Sequence, residues 1–455
     1  MKIKVHFFGA SGTVTGSKFL IETPQHSILI DCGMFQGLKE LREQNWKDLP
    51  IDPSTIDIVL LTHGHLDHTG YLPRLVKQGF RGKIIGTSPT LAIAKIILLD
   101  SGKIHEEEAE RANKEGYSKH QPAQPFYTIN EAKYTIRYFQ SAEKNKWNVL
   151  SRDIKYRFRY NGHIIGSTFI ELEINGKIFV FSGDVGRTND PLLYPPEKPR
   201  WADFLFMEST YGNKIHPTDE FEKNIIVLVN KTIYNRGTLI IPSFAVERLQ
   251  TLMYLLWRLY QKNKIPNIPV FVDSPMGNNV LAVFEQFTDW HKLTKSEYYG
   301  MNSHIHIITS YRETWETIDN PQPKIVIAGS GMVTGGRVLT YLKQLIDEYT
   351  TTILLAGYQA EGTRGRNLLE GAQEIKIYGK YYPVKAAIHQ IESLSAHADQ
   401  QELIDWTSNI RNIPEKVFLI HGETDALKAL KIKIKEKYNW QTHIPQFNEV
   451  YIITV

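Results

Sequence analysis

Apolar residues along this chain fall into short runs, and many of the runs stop beside a residue with chemistry in it. Ile28-Leu29-Ile30 leads into Asp31, Ile58-Val59-Leu60-Leu61 into His63, Phe179-Val180-Phe181 into Asp184, and Val417-Phe418-Leu419-Ile420 into His421. Each run has the length of a buried strand. Positions 1–9 alternate polar and apolar residues, as a half-buried strand does. Asn175-Gly176 separates the segments 169–174 and 177–181. Both central residues of a type I′ turn need positive φ, so this pair predicts a β-hairpin. A helix is expected from near Asp67 or His68, carrying Leu72, Leu75 and Val76. A longer one is expected from Thr90 to about Lys119, its charged run at 106–111 reading as a solvated face. Positions 191–199 are rich in proline and read as a linker.

Beyond this the pattern changes. Apolar runs at 238–242, 269–273, 324–328 and 352–356 are each followed by helical periodicity, from about Ala245, Met276, Arg337 and Arg366. Strand then helix, four times, predicts a parallel sheet with crossover helices. The last segment returns to the earlier style, with a helix at about 400–410 and strands at 417–420 and 450–455. If His421 completes a site begun at His63, the α/β block is an insertion. The expected domains are therefore 1–207, an inserted 208–380, and 381–455, which rejoins the first. No internal repeat or low-complexity segment is present.

Length and composition narrow the class. The chain has 455 residues, 42% of them hydrophobic and 22% charged, enough for two or three ordinary globular domains. A formal net charge of +4 is compatible with a polyanionic partner without demanding one. Cys32 is the single cysteine, which excludes an internal disulfide and a multi-cysteine zinc cluster. It makes a reducing cytoplasm the simplest location. No apolar run approaches the roughly 18 residues of a membrane span, and positions 1–9 lack the core of a signal peptide.

The densest chemistry is His63-Gly64-His65-Leu66-Asp67-His68, four potential ligands within six residues. Imidazoles and a carboxylate are ligands that zinc accepts. One hexapeptide cannot saturate two metals, and His163, Asp184, His421 and Asp31 are candidates to complete the set. Taken singly, each reads first as a hydrogen-bonded loop residue; their recurrence at strand ends is what suggests one shared site. Ser330-Gly331-Met332, with Gly335-Gly336-Arg337, follows one strand and precedes a helix. Its backbone N–H groups could hold a phosphate, or it could be a tight turn. Ser274 and Arg248 are candidates to line the same cleft, and Arg364 and Arg366 offer phosphate-binding forks. Read from the residues alone, His397 is a surface residue preceding a helix and Ser395 an N-cap.

The set Asp31, His63-x-His65-x-Asp67-His68, His163 and Asp184 resembles the metallo-β-lactamase fold. Three later segments resemble the extra motifs of its β-CASP subfamily: Glu208-Ser209-Thr210-Tyr211-Gly212, Ser395-Ala396-His397-Ala398-Asp399 and His421-Gly422-Glu423. The resemblance runs through the whole chain, including Asp273-Ser274-Pro275-Met276 and Gly329-Ser330-Gly331-Met332. It is closest to the bacterial and archaeal RNA-cleaving members, relatives of the nuclease that processes eukaryotic pre-mRNA 3′ ends. It implies an α/β architecture: an αββα sandwich with an inserted parallel-sheet domain and an active site in the cleft between them. It implies two Zn2+ ions, with Mn2+ or Fe2+ compatible with the same N/O donors. His63, His65 and His163 would hold one ion, Asp67, His68 and His421 the other, with Asp184 bridging and Asp31 orienting a ligand imidazole.

By the same resemblance, Glu208 orients His397, which acts as general acid, with Asp67 and Asp184 as further catalytic residues. The implied reaction is hydrolysis of RNA, endonucleolytic, 5′-exonucleolytic or both, by a hydroxide bridging the metals. It leaves 5′-phosphate and 3′-hydroxyl ends. RNA is the implied partner, no membrane is involved, and relatives that dimerise make a homodimer an expectation. Three rivals stand beside this reading. A DNA-directed nuclease of the superfamily typically has an apolar residue where this chain has His421. A small-molecule hydrolase would need no insertion of this size. A non-catalytic RNA-binding scaffold would lack ligands that are all present here.

Overall fold

The computed structural model describes residues 1–116, 120–217, 221–357, 359–391 and 394–455. Two compact units result, Met1–Ile215 with His397–Val455, and His216–Ala396.

The first unit is built on two seven-stranded sheets. One runs in the order Val450–Thr454, Lys2–Phe7, Phe19–Glu22, Ser27–Ile30, Ile58–Leu60, Lys83–Gly86 and Phe139–Ser141. The other runs Thr442–His443, Lys416–Ile420, Phe204–Glu208, Lys177–Phe181, Thr168–Ile174, Ile154–Tyr160 and Asn148–Ser151. Each sheet is antiparallel at one end and parallel at the other. Inner parallel strands such as Ile58–Leu60, Phe204–Glu208 and Lys416–Ile420 carry continuous apolar runs, as strands buried on both faces do, whereas the parallel edge strands Phe139–Ser141 and Thr442–His443 do not. Within one run, Ile58 and Leu60 join the core between the sheets while Val59 and Leu61 join the helices behind the first sheet. Leu72, Leu75 and Leu98 pack in that outer layer, and Leu403, Trp406, Leu427 and Leu430 pack behind the second sheet. The order of layers is therefore helix, sheet, sheet, helix.

Aromatic rings fill the space between the sheets. Phe181 stacks on Phe206 with centroids 4.2 Å apart, and Phe206 on Phe418 at 4.6 Å. Phe7 of the opposite sheet reaches Phe418 at 5.4 Å. These rings sit at matching positions of three adjacent parallel strands, because Phe181 pairs with Phe206 and Phe206 with Phe418 in register.

The hairpin at Asn175-Gly176 forms, with φ of 49° and 82° at those residues. The helix expected from Asp67 through Val76 is two short helices, Leu66–Thr69 and Leu72–Lys77. Pro73 has no N–H to offer the Thr69 carbonyl, which breaks the ladder there. Helix Ser88–Glu115 starts on the Thr87 side chain and ends at left-handed Gly116; the expected end near Lys119 lies outside the described residues. The proline-rich stretch is not a linker: Leu192 and Leu193 are fully buried, and both donate their N–H groups to Asp190 Oδ1 at 2.8 Å. Among the described residues no helix is long and apolar enough to cross a membrane.

The second unit holds a six-stranded sheet, ordered His306–Ile307, Val270–Asp273, Lys324–Ala328, Thr238–Pro242, Thr352–Ala356 and Ala387–Ile391. All its pairs are parallel. The four strands expected from sequence are its centre. The two edge strands were hidden, one by its shortness and the other because His389 and Gln390 interrupt its apolar run. Since Ala387–Ile391 pairs with Thr352–Ala356, this unit continues past residue 380 to Ala396, and Glu208 ends a strand of the first unit.

Phe206→Ala is expected to destabilise the protein by about 3–5 kcal/mol, because it removes the middle ring of the ladder and leaves a cavity. Chemical denaturation of the two proteins measures the difference.

Candidate metal centre

Adjacent parallel strands end at one edge of a sheet, and loops there can share a site. In the first sheet Ser27–Ile30 and Ile58–Leu60 deliver Asp31 and the His63–His68 turn; in the second, Lys177–Phe181, Phe204–Glu208 and Lys416–Ile420 deliver Asp184, Glu208 and His421. Two glycines let these loops close up. A Cβ on Gly33 would lie 1.5 Å from the Asp67 carbonyl oxygen, and one on Gly183, at φ +53°, would lie 2.7 Å from Thr62 Cβ. Cys32 N–H donates to the His68 carbonyl at 2.7 Å, which fixes the turn against the neighbouring strand end.

Two donor groups form, and they share Asp184. One comprises His63, His65, His163 and Asp184, the other Asp67, His68, Asp184 and His421. In the first, His65 Nδ1 lies 3.2 Å from both His63 Nε2 and His163 Nε2, while Asp184 Oδ2 lies 3.4 and 3.5 Å from those same two nitrogens. In the second, His68 Nε2 lies 3.3 Å from His421 Nε2 and 3.3 Å from Asp184 Oδ1, and Asp67 Oδ2 lies 3.5 Å from His421 Nε2. The edge of a tetrahedron with zinc–ligand bonds of about 2.1 Å is about 3.4 Å. These donor atoms are therefore spaced as cation ligands are.

Their chemistry fits a cation as well. One imidazole nitrogen cannot satisfy two others at once by sharing protons. Asp184 is buried, and among the described residues no donor meets its Oδ1 in hydrogen-bond geometry. Burial pushes His63 down to about 3, helped by the charge of His68. Burial likewise takes His65 down to about 4 against the pull of Asp67 and Asp184. His163 falls well below the ordinary histidine value through burial and the nearby His397. These rings are thus neutral at physiological pH, the form in which a lone pair is available to a metal. Burial also opposes charge on His68, yet Asp184 and Asp31 outweigh it and raise that ring. Burial would raise Asp184 and Asp67, but the surrounding histidines hold both carboxyls well below the usual range.

A layer of hydrogen bonds aims the rings. His68 Nδ1 donates to Asp31 Oδ2 at 2.8 Å, which turns Nε2 toward the centre. Thr62 donates its hydroxyl to Asp31 Oδ2 at 2.8 Å, and Oγ1 lies 3.0 Å from His63 Nδ1, placed to accept that ring's N–H. Asp31 also accepts Thr62 N–H at 2.8 Å. One carboxylate thereby orients a ligand of each donor group, one directly and one through Thr62. Thr210 Oγ1 sits 3.2 Å from His421 Nδ1. Asn161 Nδ2 donates to the Ser182 and Asp184 carbonyls, both at 2.6 Å, and so holds the loop that carries Asp184. Asp31 and His421 themselves have φ of 56° and 50°. Such strain costs of order 1–3 kcal/mol each and persists where surroundings over-determine it. In the sequence Thr62, Asn161 and Thr210 carry no individual role; their signal is position alone, since Thr62 precedes His63, Asn161 stands two before His163, and Thr210 lies within the 208–212 segment.

Glu208 and His397 lie beside the shared carboxylate. His397 Nδ1 lies 3.3 Å from Glu208 Oε1, and its Nε2 lies 3.9 Å from Asp184 Oδ2. Glu208 is fully buried and accepts Val185 N–H at 2.7 Å and Thr210 N–H at 3.1 Å. Burial would lower His397, but the Glu208 charge and hydrogen bond, then Asp184, raise it above the ordinary value. The cap of the following helix is Asp399, paired reciprocally with Glu402, and not Ser395.

The residues singled out for substrate are in the second unit, on segments that follow its strands. Several have structural work. Ser274 Oγ caps helix Pro275–Gln286 by accepting Gly277 N–H at 3.2 Å. Arg248 is buried and donates to the Ala356 carbonyl at 2.7 Å. Arg364 donates to the carbonyls of Lys376, Val333 and Thr334, and Arg366 pairs with Glu370 at 2.6 Å. Ser330 Oγ meets Thr334 Oγ1 at 3.0 Å, Gly331 leaves no room for a Cβ beside Phe244, and Met332 is half-buried with its carbonyl accepting Gly365 N–H.

Thr62→Val keeps the shape of that side chain but removes its hydroxyl. It is expected to weaken retention of divalent metal about 10–100-fold, with Thr62→Ser near wild type. Chelator competition followed by metal analysis reads the difference.

Comparison with known proteins agrees with this architecture. A model of the metallo-beta-lactamase superfamily matches residues 12–89, the Beta-Casp domain matches 249–368, and the Zn-dependent metallo-hydrolase RNA specificity domain matches 381–445. Ribonuclease TTHA0252 of Thermus thermophilus is 32% identical over 93% of this chain and 94% of its own length. The RNase J-like protein of Methanocaldococcus jannaschii is 30% identical over 97% of this chain and 98% of its own. Transcription termination factor FttA of the same organism is 29% identical over 97% of this chain and 70% of its own. A crystal structure of a protein of unknown function from Enterococcus faecalis V583 shares the fold, with a TM-score of 0.55 at 12% identity over the full length of both chains. The sandwich, the strand-edge donor groups and these full-length similarities agree: the chain belongs to the β-CASP branch of the metallo-β-lactamase superfamily.

Proposed function

We propose that this protein is a zinc-dependent ribonuclease that hydrolyses RNA phosphodiester bonds, by endonucleolytic cleavage, 5′-exonucleolytic cleavage or both, leaving 5′-phosphate and 3′-hydroxyl ends. The observation that carries this reading is the pair of donor groups sharing Asp184, with the His397–Glu208 pair beside them. His63, His65 and His163 would hold one Zn2+, and Asp67, His68 and His421 the other, with Asp184 common to both. Bound there, the ions supply the Lewis acidity that makes water a nucleophile near neutral pH and draws charge from a phosphoryl oxygen.

The chain's own residues supply the rest. Asp31 and Thr62 keep the ligand rings in the tautomer whose Nε2 faces inward. Glu208 engages Nδ1 of His397, so the proton left to give is on Nε2, the nitrogen nearer Asp184. A displaced ribose 3′-oxygen is a poor leaving group unless protonated, and a raised imidazolium suits that donation near neutral pH. The RNA preference is supported by His421, a ligand that DNA-directed members typically lack, and by relatives named as ribonucleases. A cytoplasmic site of action is consistent with the single buried Cys32.

His397→Ala is expected to keep its metals and to lose turnover by about 10²–10⁴, the range for a general acid. Glu208→Gln removes the negative charge that raises His397, so the alkaline limb of the kcat–pH profile should move to lower pH. End-labelled RNA bearing different 5′ ends, beside matched DNA, gives product lengths and rates for each protein. Wild-type turnover in His397→Ala, or equal cleavage of DNA, would overturn this assignment.

A further inference from the structure

A two-stranded ribbon in the second unit is separate from the six-stranded sheet. It pairs Glu374–Ile377 with Lys380–Pro383, antiparallel, with Ile377 opposite Lys380 and Lys376 opposite Tyr381. Ile375 and Ile377 anchor one face in the apolar cluster that contains Leu368 and Ala386. The other face, which carries Glu374, Lys376, Tyr381 and Pro383, is exposed. Lys380 and Tyr382 pair with Ile377 and Ile375 on the anchored face. Tyr381 is 61% exposed and Tyr378, at the tip, 46%. Lys376 Nζ lies 5.4 Å from the Tyr381 ring centroid, and Lys343 Nζ lies 5.8 Å from that of Tyr378.

The tip itself is informative. Tyr378 and Gly379 have φ of +46° and +81°, the type I′ pattern. Asn, Asp or Gly fills the first of these positions at least cost, and a bulky aromatic is disfavoured there. The ring is therefore held out at the tip against the turn's own preference. Arg364 then ties the ribbon to the glycine-rich loop that follows strand Lys324–Ala328. Its Nε donates to the Lys376 carbonyl at 2.6 Å, and its Nη1 to the Val333 and Thr334 carbonyls at 3.2 and 3.1 Å. That loop leaves the C-terminal edge of a parallel sheet, the edge at which open α/β sheets take ligands.

We propose that this ribbon is a stacking platform for single-stranded RNA. The Tyr378 and Tyr381 rings take bases on their faces, and Lys343 and Lys376, beside those rings, meet the phosphates. Interleaved aromatic and basic side chains bind single strands with little sequence preference, because every base offers a π-face. The inference deepens the ribonuclease reading and rests on it: the RNA held by the ribbon would be the substrate.

The test uses the full-length, metal-loaded chain and a 5′-labelled single-stranded oligoribonucleotide of about 20 residues, a length that spans several stacking contacts. Tyr378→Asn suits the turn and Tyr381→Thr suits a strand, so the double variant should fold, which circular dichroism and metal content check. The expected result is a KM at least about 10-fold higher with kcat within about two-fold. Kd, measured in a His397→Ala background, should rise in parallel. Lys343→Gln with Lys376→Gln should flatten the dependence of log Kd on log[salt] by about 1.4, two phosphate contacts on a single strand. A folded tyrosine variant with wild-type KM and Kd would overturn the platform while leaving the ribonuclease intact. A wild-type chain that binds RNA through these tyrosines yet cleaves none would sink the ribonuclease reading and spare the platform. A wild-type chain that neither binds nor cleaves RNA would end both.

Discussion

A desolvated carboxylate facing two sets of imidazoles is the contact on which this molecule turns. Asp184 is buried, its Oδ2 lies 3.4 and 3.5 Å from two histidine nitrogens, and its Oδ1 faces His68 at 3.3 Å. An ionised carboxylate without partners would be expensive at such a site. The surrounding rings hold it ionised in the protein alone, and cations shared between the two donor groups would satisfy it more completely. The two sheets exist in the arrangement they do partly because both must bring loops to that one carboxylate.

The support for it is layered. Stacked phenylalanines lie in register on three adjacent strands, and Asp184, Glu208 and His421 follow them further along the same chain segments. Asp31 then couples the two donor groups, since it reaches His68 directly and His63 by way of Thr62. Backbone strain at Asp31 and His421 is the local cost of turning these side chains inward. Loss of the Thr62 hydroxyl therefore acts on one donor group while leaving the other's direct hydrogen bond in place.

Much of this was legible in the sequence because the strongest signals are local. His63 to His68 sit on one turn, and Asn175-Gly176 names its own backbone conformation. Strand ends are visible as apolar runs that stop, which points to Asp184 and His421, while His163 opens such a run. What stayed hidden depends on tertiary geometry. Thr62, Thr210 and Asn161 are ordinary polar residues until a ring nitrogen or a carbonyl arrives from elsewhere. Arg248 and Arg364 look like phosphate forks in one dimension, yet both donate to backbone carbonyls. Ala387–Ile391 reads poorly as a strand because His389 and Gln390 break its apolar run, so the inserted unit extends further than the pattern suggested.

His68 and His421 touch across 353 positions of chain, with the whole second unit between them. Translation delivers these groups in order. A nascent polypeptide has His63, His65, His163 and Asp184 long before the ribosome reaches His397 and His421. On the ribonuclease reading, the proton donor His397 and the last member of the second donor group, His421, emerge last, so the nascent chain holds an incomplete site until then.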